Sequence, residues 1–214
     1  MFTKRLLMMT FAATLAGGVA AQDVISLPAA GTTERPATLM QALRERHSTR
    51  EYAATELSQA ELADLLWAAV GVNRPDEGKR TAPTAMNRQE VDVYVATAQG
   101  AYLYDAAAHS LKRVCTDDVR PLVAAGQDFA ATAPVALIIV TDFQKLGNPS
   151  ADRTRLMGAA DAGIVSQNIS LFCAAAGLAT VPRATMDEPA LRRALHLRDS
   201  QMPLLNHPVG HFKK

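Results

Sequence analysis

Val135-Ala136-Leu137-Ile138-Ile139-Val140, an apolar run without a polar break, is the stretch on which the fold turns. Aliphatic side chains at both alternating sets of positions read as a strand covered on both faces. Further on, Arg155 to Ala176 reads as a long helix that stops at Gly177, and Leu178 to Val181 as a short strand. Before the run, Val91, Val93 and Val95 alternate as a strand. Ala101 to Tyr104 and Leu111 to Val114 follow across turns, which suggests an antiparallel meander. These elements imply a domain of mixed α and β character.

Working outward, Ser58 and Glu61 form a capping box, and Leu62, Leu65, Leu66 and Ala69 mark one face of a helix ending at Gly71. Leu39, Met40 and Leu43 recur at helical spacing between Thr38 and Arg46. Val119 to Ala125 reads as helical, Asp187 caps a helix through Leu195, and Leu204 to Gly210 reads as a final strand. Trp67 and Tyr94 read as core, while Tyr102 and Tyr104 are placed to border a pocket. The long helix carries Ala159, Ala160, Ala162, Gly163, Ser166 and Ala174 to Ala176. Such small side chains let a second backbone come close, either a neighbouring helix or the same helix of a second chain.

Lys4 and Arg5, then an apolar run from Leu6 to Leu15, then Ala16 to Ala21 make the pattern of a secretory signal peptide over residues 1–21. Residues 22–36, with no helical period, read as a linker, and residues 37–214 as a single domain. The expected location is the periplasm or the exterior, with no membrane span left after processing. Across 214 residues, 22 basic against 21 acidic side chains set up no global field to attract nucleic acid or an anionic membrane. Cys115 and Cys173 do not make a disulfide framework. Function must come from a local site.

Arg46-His47-Ser48-Thr49-Arg50 places two guanidinium groups, an imidazole and hydroxyls together at a helix end. Arginine's planar fork matches the oxygens of a phosphate monoester; the plainer reading is a solvated helix end whose cations complement the dipole. Asn73 to Asn87 is a long loop with Pro75, Gly78 and Pro83, and loops of that length inside a domain are usually functional or disordered. His196, His207 and His211 lack an acidic or cysteine neighbour to complete a metal set, so no metal site is expected. Ser48, Ser166 and Ser170 have no nucleophile elbow around them, and neither a dinucleotide fingerprint nor a P-loop is present.

Taken in order, Arg46-His47-Ser48-Thr49-Arg50, Thr81-Ala82-Pro83-Thr84-Ala85-Met86-Asn87-Arg88-Gln89, Val181-Pro182-Arg183 and Val209-Gly210-His211 resemble the motifs of nitroreductase-like flavoproteins. The resemblance runs from Leu39 to Lys214. Leu66-Trp67-Ala68-Ala69 through Gly71-Val72-Asn73-Arg74-Pro75 is similar to its small exported branch, which is related to peptide azoline oxidases. It implies an α+β nitroreductase-like fold, a central mixed, largely antiparallel sheet flanked by helices, in an intertwined homodimer. It implies FMN, its phosphate and ribityl chain held by Arg46, Ser48 and Arg50 with His47 contributing and Lys213 or Lys214 adding charge. Pro83, Thr84, Ala85, Met86 and Asn87 would come from the second chain, and Pro182, Arg183 and Ala184 would present backbone to the flavin N5 edge.

The implied activity is ping-pong hydride transfer through that atom, to or from a nitroaromatic, a quinone or another small organic acceptor, with NAD(P)H or another reductant as donor and no catalytic side chain. An exported enzyme would draw on a quinol, another flavoprotein or an electron-transfer partner, since reduced nicotinamides are mainly cytoplasmic. The alternative is a non-catalytic flavin carrier or sensor. Where relatives carry a polar and a basic residue before the apolar strand, Gly126 to Thr132 offers Gln127 and Asp128, and Arg183 is the candidate to supply the missing charge or to bind substrate.

Overall fold

The computed structural model describes residues 24–31 and 37–214, so the leader read at residues 1–21 lies outside the described residues. The apolar run becomes β7 (Val135–Asp142), buried at every position. It lies between β4 (Val91–Thr97) and β9 (Gln201–His211), and the full sheet runs β1-β6-β5-β4-β7-β9-β8. Here β1 is Val24–Ser26, β5 Gly100–Asp105, β6 Ser110–Cys115 and β8 Leu178–Thr180. Every one of these pairings is antiparallel.

Alternation along the central strands explains why β7 shows no polar break. Val93, Val95, Leu137 and Ile139 point to one face, where α2 (Gln59–Val70) and α6 (Asp152–Ala176) cover them with Leu65, Leu66, Val165 and Ile169. Tyr94, Ala96, Ala136, Ile138 and Val140 point to the other, against Val123 of α3 (Arg120–Ala124) and Leu191 of α7 (Glu188–Ala194). The central strand is doubly covered although its sheet is antiparallel. The capping box at Ser58 and Glu61 is formed, Asp187 accepts from Ala190 N–H, and Gly177 ends α6 with φ of 67°. α1 (Leu39–Glu45) opens with a second capping box, Thr38 with Gln41.

Two expectations need correcting. Residues 22–36 are not simply a linker, because Val24–Ser26 pairs with Lys112, Leu111 and Ser110 as the edge strand β1. Side chains elsewhere secure it: Tyr104 Oη lies 2.8 Å from His109 Nδ1, and His109 Nε2 lies 2.8 Å from the Pro28 carbonyl. A strand this short carries no period of its own. Trp67 is not core either; it is 36% exposed, with Nε1 donating to Val72 O, and lines a groove between α1, α2 and α6. Within the loop after α2, β2 (Val72–Arg74) and β3 (Lys79–Arg80) form a small hairpin. Short helices α4 (Asp128–Ala131) and α5 (Phe143–Leu146) flank β7.

His207 is fully buried in β9, where it joins three elements. Thr180 Oγ1 donates to Pro208 O, so at 3.2 Å it accepts from His207 Nδ1–H, leaving Nε2 to accept from Ser166 Oγ at 2.7 Å. The imidazole is therefore neutral, and burial pushes its pKa from 6.5 down to about 3. A depressed folded-state pKa contributes stability that is complete above 6.5 and is lost as the pH falls toward 3, because the unfolded chain takes up the proton first. Melting temperature should fall steadily across that window. His207→Asn should start lower at neutral pH and decline less steeply; an equal slope in both proteins would remove the histidine from the account.

Candidate functional site

Arg46 closes α1, its N–H returning to Ala42 O, and the chain then lies along one end of the sheet. Thr49 N–H donates to Thr180 O of β8 at 2.9 Å, Ala53 N–H to His211 O at 2.9 Å, and Tyr52 bridges to Phe212. Arg46 to Arg50 is thus brought beside the ends of β8 and β9 and beside Lys213. His47 stacks on Phe212, ring centroids 5.9 Å apart. His47 and Ser48 are exposed, as is Arg50, whose guanidinium sits over the Phe129 ring at 5.9 Å. Among the described residues no carboxylate pairs with Arg46, Arg50 or Lys213. Thr49 Oγ1, in the middle of this cationic segment, is buried without a hydrogen-bond partner.

Pro182, Arg183 and Ala184 arrive at the same end. Arg183 N–H donates to Asn206 O at 2.9 Å and Asn206 N–H returns to Arg183 O at 2.7 Å, so its backbone is committed to β9. The side chain turns inward. Its Nε donates to Gln127 Oε1, Nη1 to Val123 O and to Asn206 Oδ1, and Nη2 to Ala124 O, all between 2.8 and 3.1 Å. Four of its five N–H donors are thereby occupied by carbonyl and amide oxygens. The charge stays, and Arg183 lies 5.5 Å from the other cation's aromatic partner, Phe129. Burial disfavours this cation, while Coulombic attraction to Tyr52 works the other way. Arg183 thus sets a cation beside Gln127 and Phe129, in a stretch, Gly126 to Thr132, that has no basic residue of its own. Nothing local in sequence pairs Arg183 with Gln127; Phe129, Tyr52 and Phe212 carried no signal beyond being aromatic.

Pro83 to Asn87 does not join this cluster within one chain. Ala85 N–H donates to Asp161 Oδ2 at 2.7 Å, which ties the loop to the N-terminal half of α6. The arginine segment is held elsewhere, on β8 and β9, through Thr49 N–H to Thr180 O and Ala53 N–H to His211 O. α6 exposes Leu156 at 72% and Ile164 at 38%, and Leu39, Met40 and Leu43 of α1 are also exposed.

With this geometry in place, comparison with known proteins is direct. The model of the nitroreductase family matches residues 43–211. The putative nitroreductase of Methanocaldococcus jannaschii is 32% identical over 177 residues, spanning 78% of this chain and 88% of that one. Among solved structures, a putative nitroreductase from Ralstonia eutropha is 35% identical, with a TM-score of 0.83 over 90% of this chain and 91% of the other. The NADPH:FMN oxidoreductase of Vibrio harveyi, at 19% identity, shares the fold with a TM-score of 0.62 over 82% of this chain and 69% of that one.

Proposed function

As an oxidoreductase of the nitroreductase family, to which it belongs, this chain uses a flavin, and we propose that the flavin is FMN, bound at two equivalent sites between the chains of a homodimer. The observation that carries this reading is the cationic segment Arg46 to Arg50, which makes no ion pair among the described residues, with Phe212 stacked on it and Lys213 next in sequence. Arg46 and Arg50 bind the phosphate, Ser48 adds a hydroxyl and Thr49 Oγ1 is the buried polar atom that lacks a partner. His47, held against Phe212, fixes the direction of the segment. Pro83 to Asn87, tied to Asp161 within its own chain, would come from the second chain to cover the dimethylbenzene side of the flavin. The exposed stripe of α6 and the apolar side chains of α1 form the contact between chains.

FMN supplies reversible hydride acceptance, which no side chain here can perform. The protein's own part is to hold and tune it. Buried and without a carboxylate partner, Arg183 keeps a fixed positive charge where negative charge would develop on reduction, and it does so without reaching toward substrate. With FMN bound, donor and acceptor would be taken in turn at the same site, and the kinetics with a nitroaromatic, quinone or similar acceptor would be ping-pong. Supported by the leader read at residues 1–21, we further propose that the mature enzyme works in the periplasm or outside the cell, with a quinol, another flavoprotein or an electron-transfer partner as donor in place of NADH.

Visible absorption after loading with FMN and desalting tests the assignment first. Retained flavin bands that bleach with a quinol or a reduced flavoprotein faster than with NADH are the expected result. A colourless protein removes the cofactor assignment. Bands that no donor bleaches turn the protein into a flavin carrier.

A further inference from the structure

The loop between β3 and β4 holds a backbone that its residues disfavour. Met86, Asn87 and Gln89 take φ of 52°, 52° and 49°. Non-glycine residues in this region cost about 1 kcal/mol or more each, so contacts outside the turn must hold it. Gln89 N–H donates to Thr84 Oγ1 at 2.8 Å, and Lys145 Nζ of α5 donates to Gln89 O at 3.1 Å. The tether from the centre of the loop to α6 is Ala85 N–H to Asp161 Oδ2.

Beside Asp161 lies Glu90, completely buried, and among the described residues neither Oε1 nor Oε2 has a hydrogen-bond partner. A bare carboxylate in that position carries a large desolvation cost. Its neighbour is the Asp161 carboxyl, also buried and already accepting from Ala85. Two carboxyls facing each other are both satisfied by a single proton. With the proton on Glu90, its O–H donates to Asp161, and Asp161 keeps its negative charge for the Ala85 amide.

The surrounding charges have partners of their own. Lys145, which draws the Glu90 proton off, is shared with Gln89 O and with Asp92 of β4 at 4.0 Å. Asp142 at the end of β7 pairs with Arg198 at 2.6 Å, and Arg80 of β3 donates to Val91 O.

We propose that Glu90 and Asp161 share one proton, and that this proton is the latch holding residues 81–89 in their strained form. Glu90 is then a positioning residue, acting through Asp161 on the loop. That the loop covers FMN in a second chain rests on the function proposed above; the latch does not. Burial and the Asp161 carboxyl push Glu90 up from 4.5 to about 7. Below 4.5 the proton is present whether the loop is latched or released. Between there and about 7 a released loop surrenders it first, so latching weakens by up to about tenfold per pH unit and levels off above that window.

Hydrogen exchange of the full chain between pH 5 and 8, corrected for intrinsic rates, reads the Ala85 amide directly. Protection over residues 83–89 should fall by about tenfold or more and then level off near neutrality, while β7 stays protected. Glu90→Gln donates to Asp161 at every pH, and its loop protection should be flat; Asp161→Ala should be unprotected throughout. Wild-type protection that does not change with pH overturns the latch whatever the variants do, and so does a Glu90→Gln protein that follows the wild-type curve. FMN affinity measured over the same range separates the two readings: a latch that moves without a change in affinity keeps the proton and removes the loop from the cofactor site.

Discussion

Replacing Arg46 and Arg50 together by alanine should weaken FMN binding by about 100-fold to 10,000-fold while leaving the protein folded. Each guanidinium offers charge-assisted hydrogen bonds worth about 1.5–3 kcal/mol, and the pair therefore about 3–6 kcal/mol, at 1.4 kcal/mol per decade of affinity. Arg50 is exposed and Arg46 half-buried at the end of α1, and among the described residues neither is paired with a carboxylate, so the melting temperature should hardly move. Lys112→Ala, on the exposed side of β6, is the matched control. Fluorescence titration of FMN checks the result. An unchanged dissociation constant in the double variant would return the cluster to the role of a solvated helix end.

Leu156→Arg with Ile164→Arg should convert a dimer into a folded monomer and abolish flavin retention in the same step. Both side chains stand on the exposed stripe of α6, about two helical turns apart, so the substitutions add charge without disturbing the packed face. In a self-complementary contact each substitution is felt twice, and desolvating unpaired charges there costs about 3–5 kcal/mol or more. Analytical ultracentrifugation alongside FMN titration reads both outcomes. A variant that stays dimeric moves the contact elsewhere, and a monomer that keeps its flavin separates the Pro83 to Asn87 loop from the cofactor.

What was legible in the sequence was mostly local. Ser58 with Glu61, Gly177 and Asp187 each announce a helix boundary through chemistry contained in a few residues, and all three act as caps in the structure. Val135 to Val140 announced double coverage, although its composition would equally have suited a parallel sheet. The segment Arg46 to Arg50 could be recognised because the relevant cations are contiguous. Contacts between distant residues left no such trace. Arg183 meets Gln127 and the end of α3, and Glu90 meets Asp161, only once the sheet and α6 have formed. The resemblance left Arg183 between supplying a missing charge and binding substrate, and nothing in the sequence singled out Glu90.

The edge strand β1 sets a practical limit on how the chain can be shortened. Ile25 and Leu27 line a cavity of about 370 Å³ with Leu57, Leu62, Tyr102 and Leu111. Cutting back to Ala37, where periodic sequence begins, would open that cavity to water and leave the β6 amides and carbonyls that now pair with Val24–Ser26 without partners. Unpaired backbone beside fresh apolar surface is a template for another chain's strand. A trimmed protein would keep its arginine cluster and its long helix intact and be lost to precipitation, a failure easily mistaken for a defect in the cofactor site.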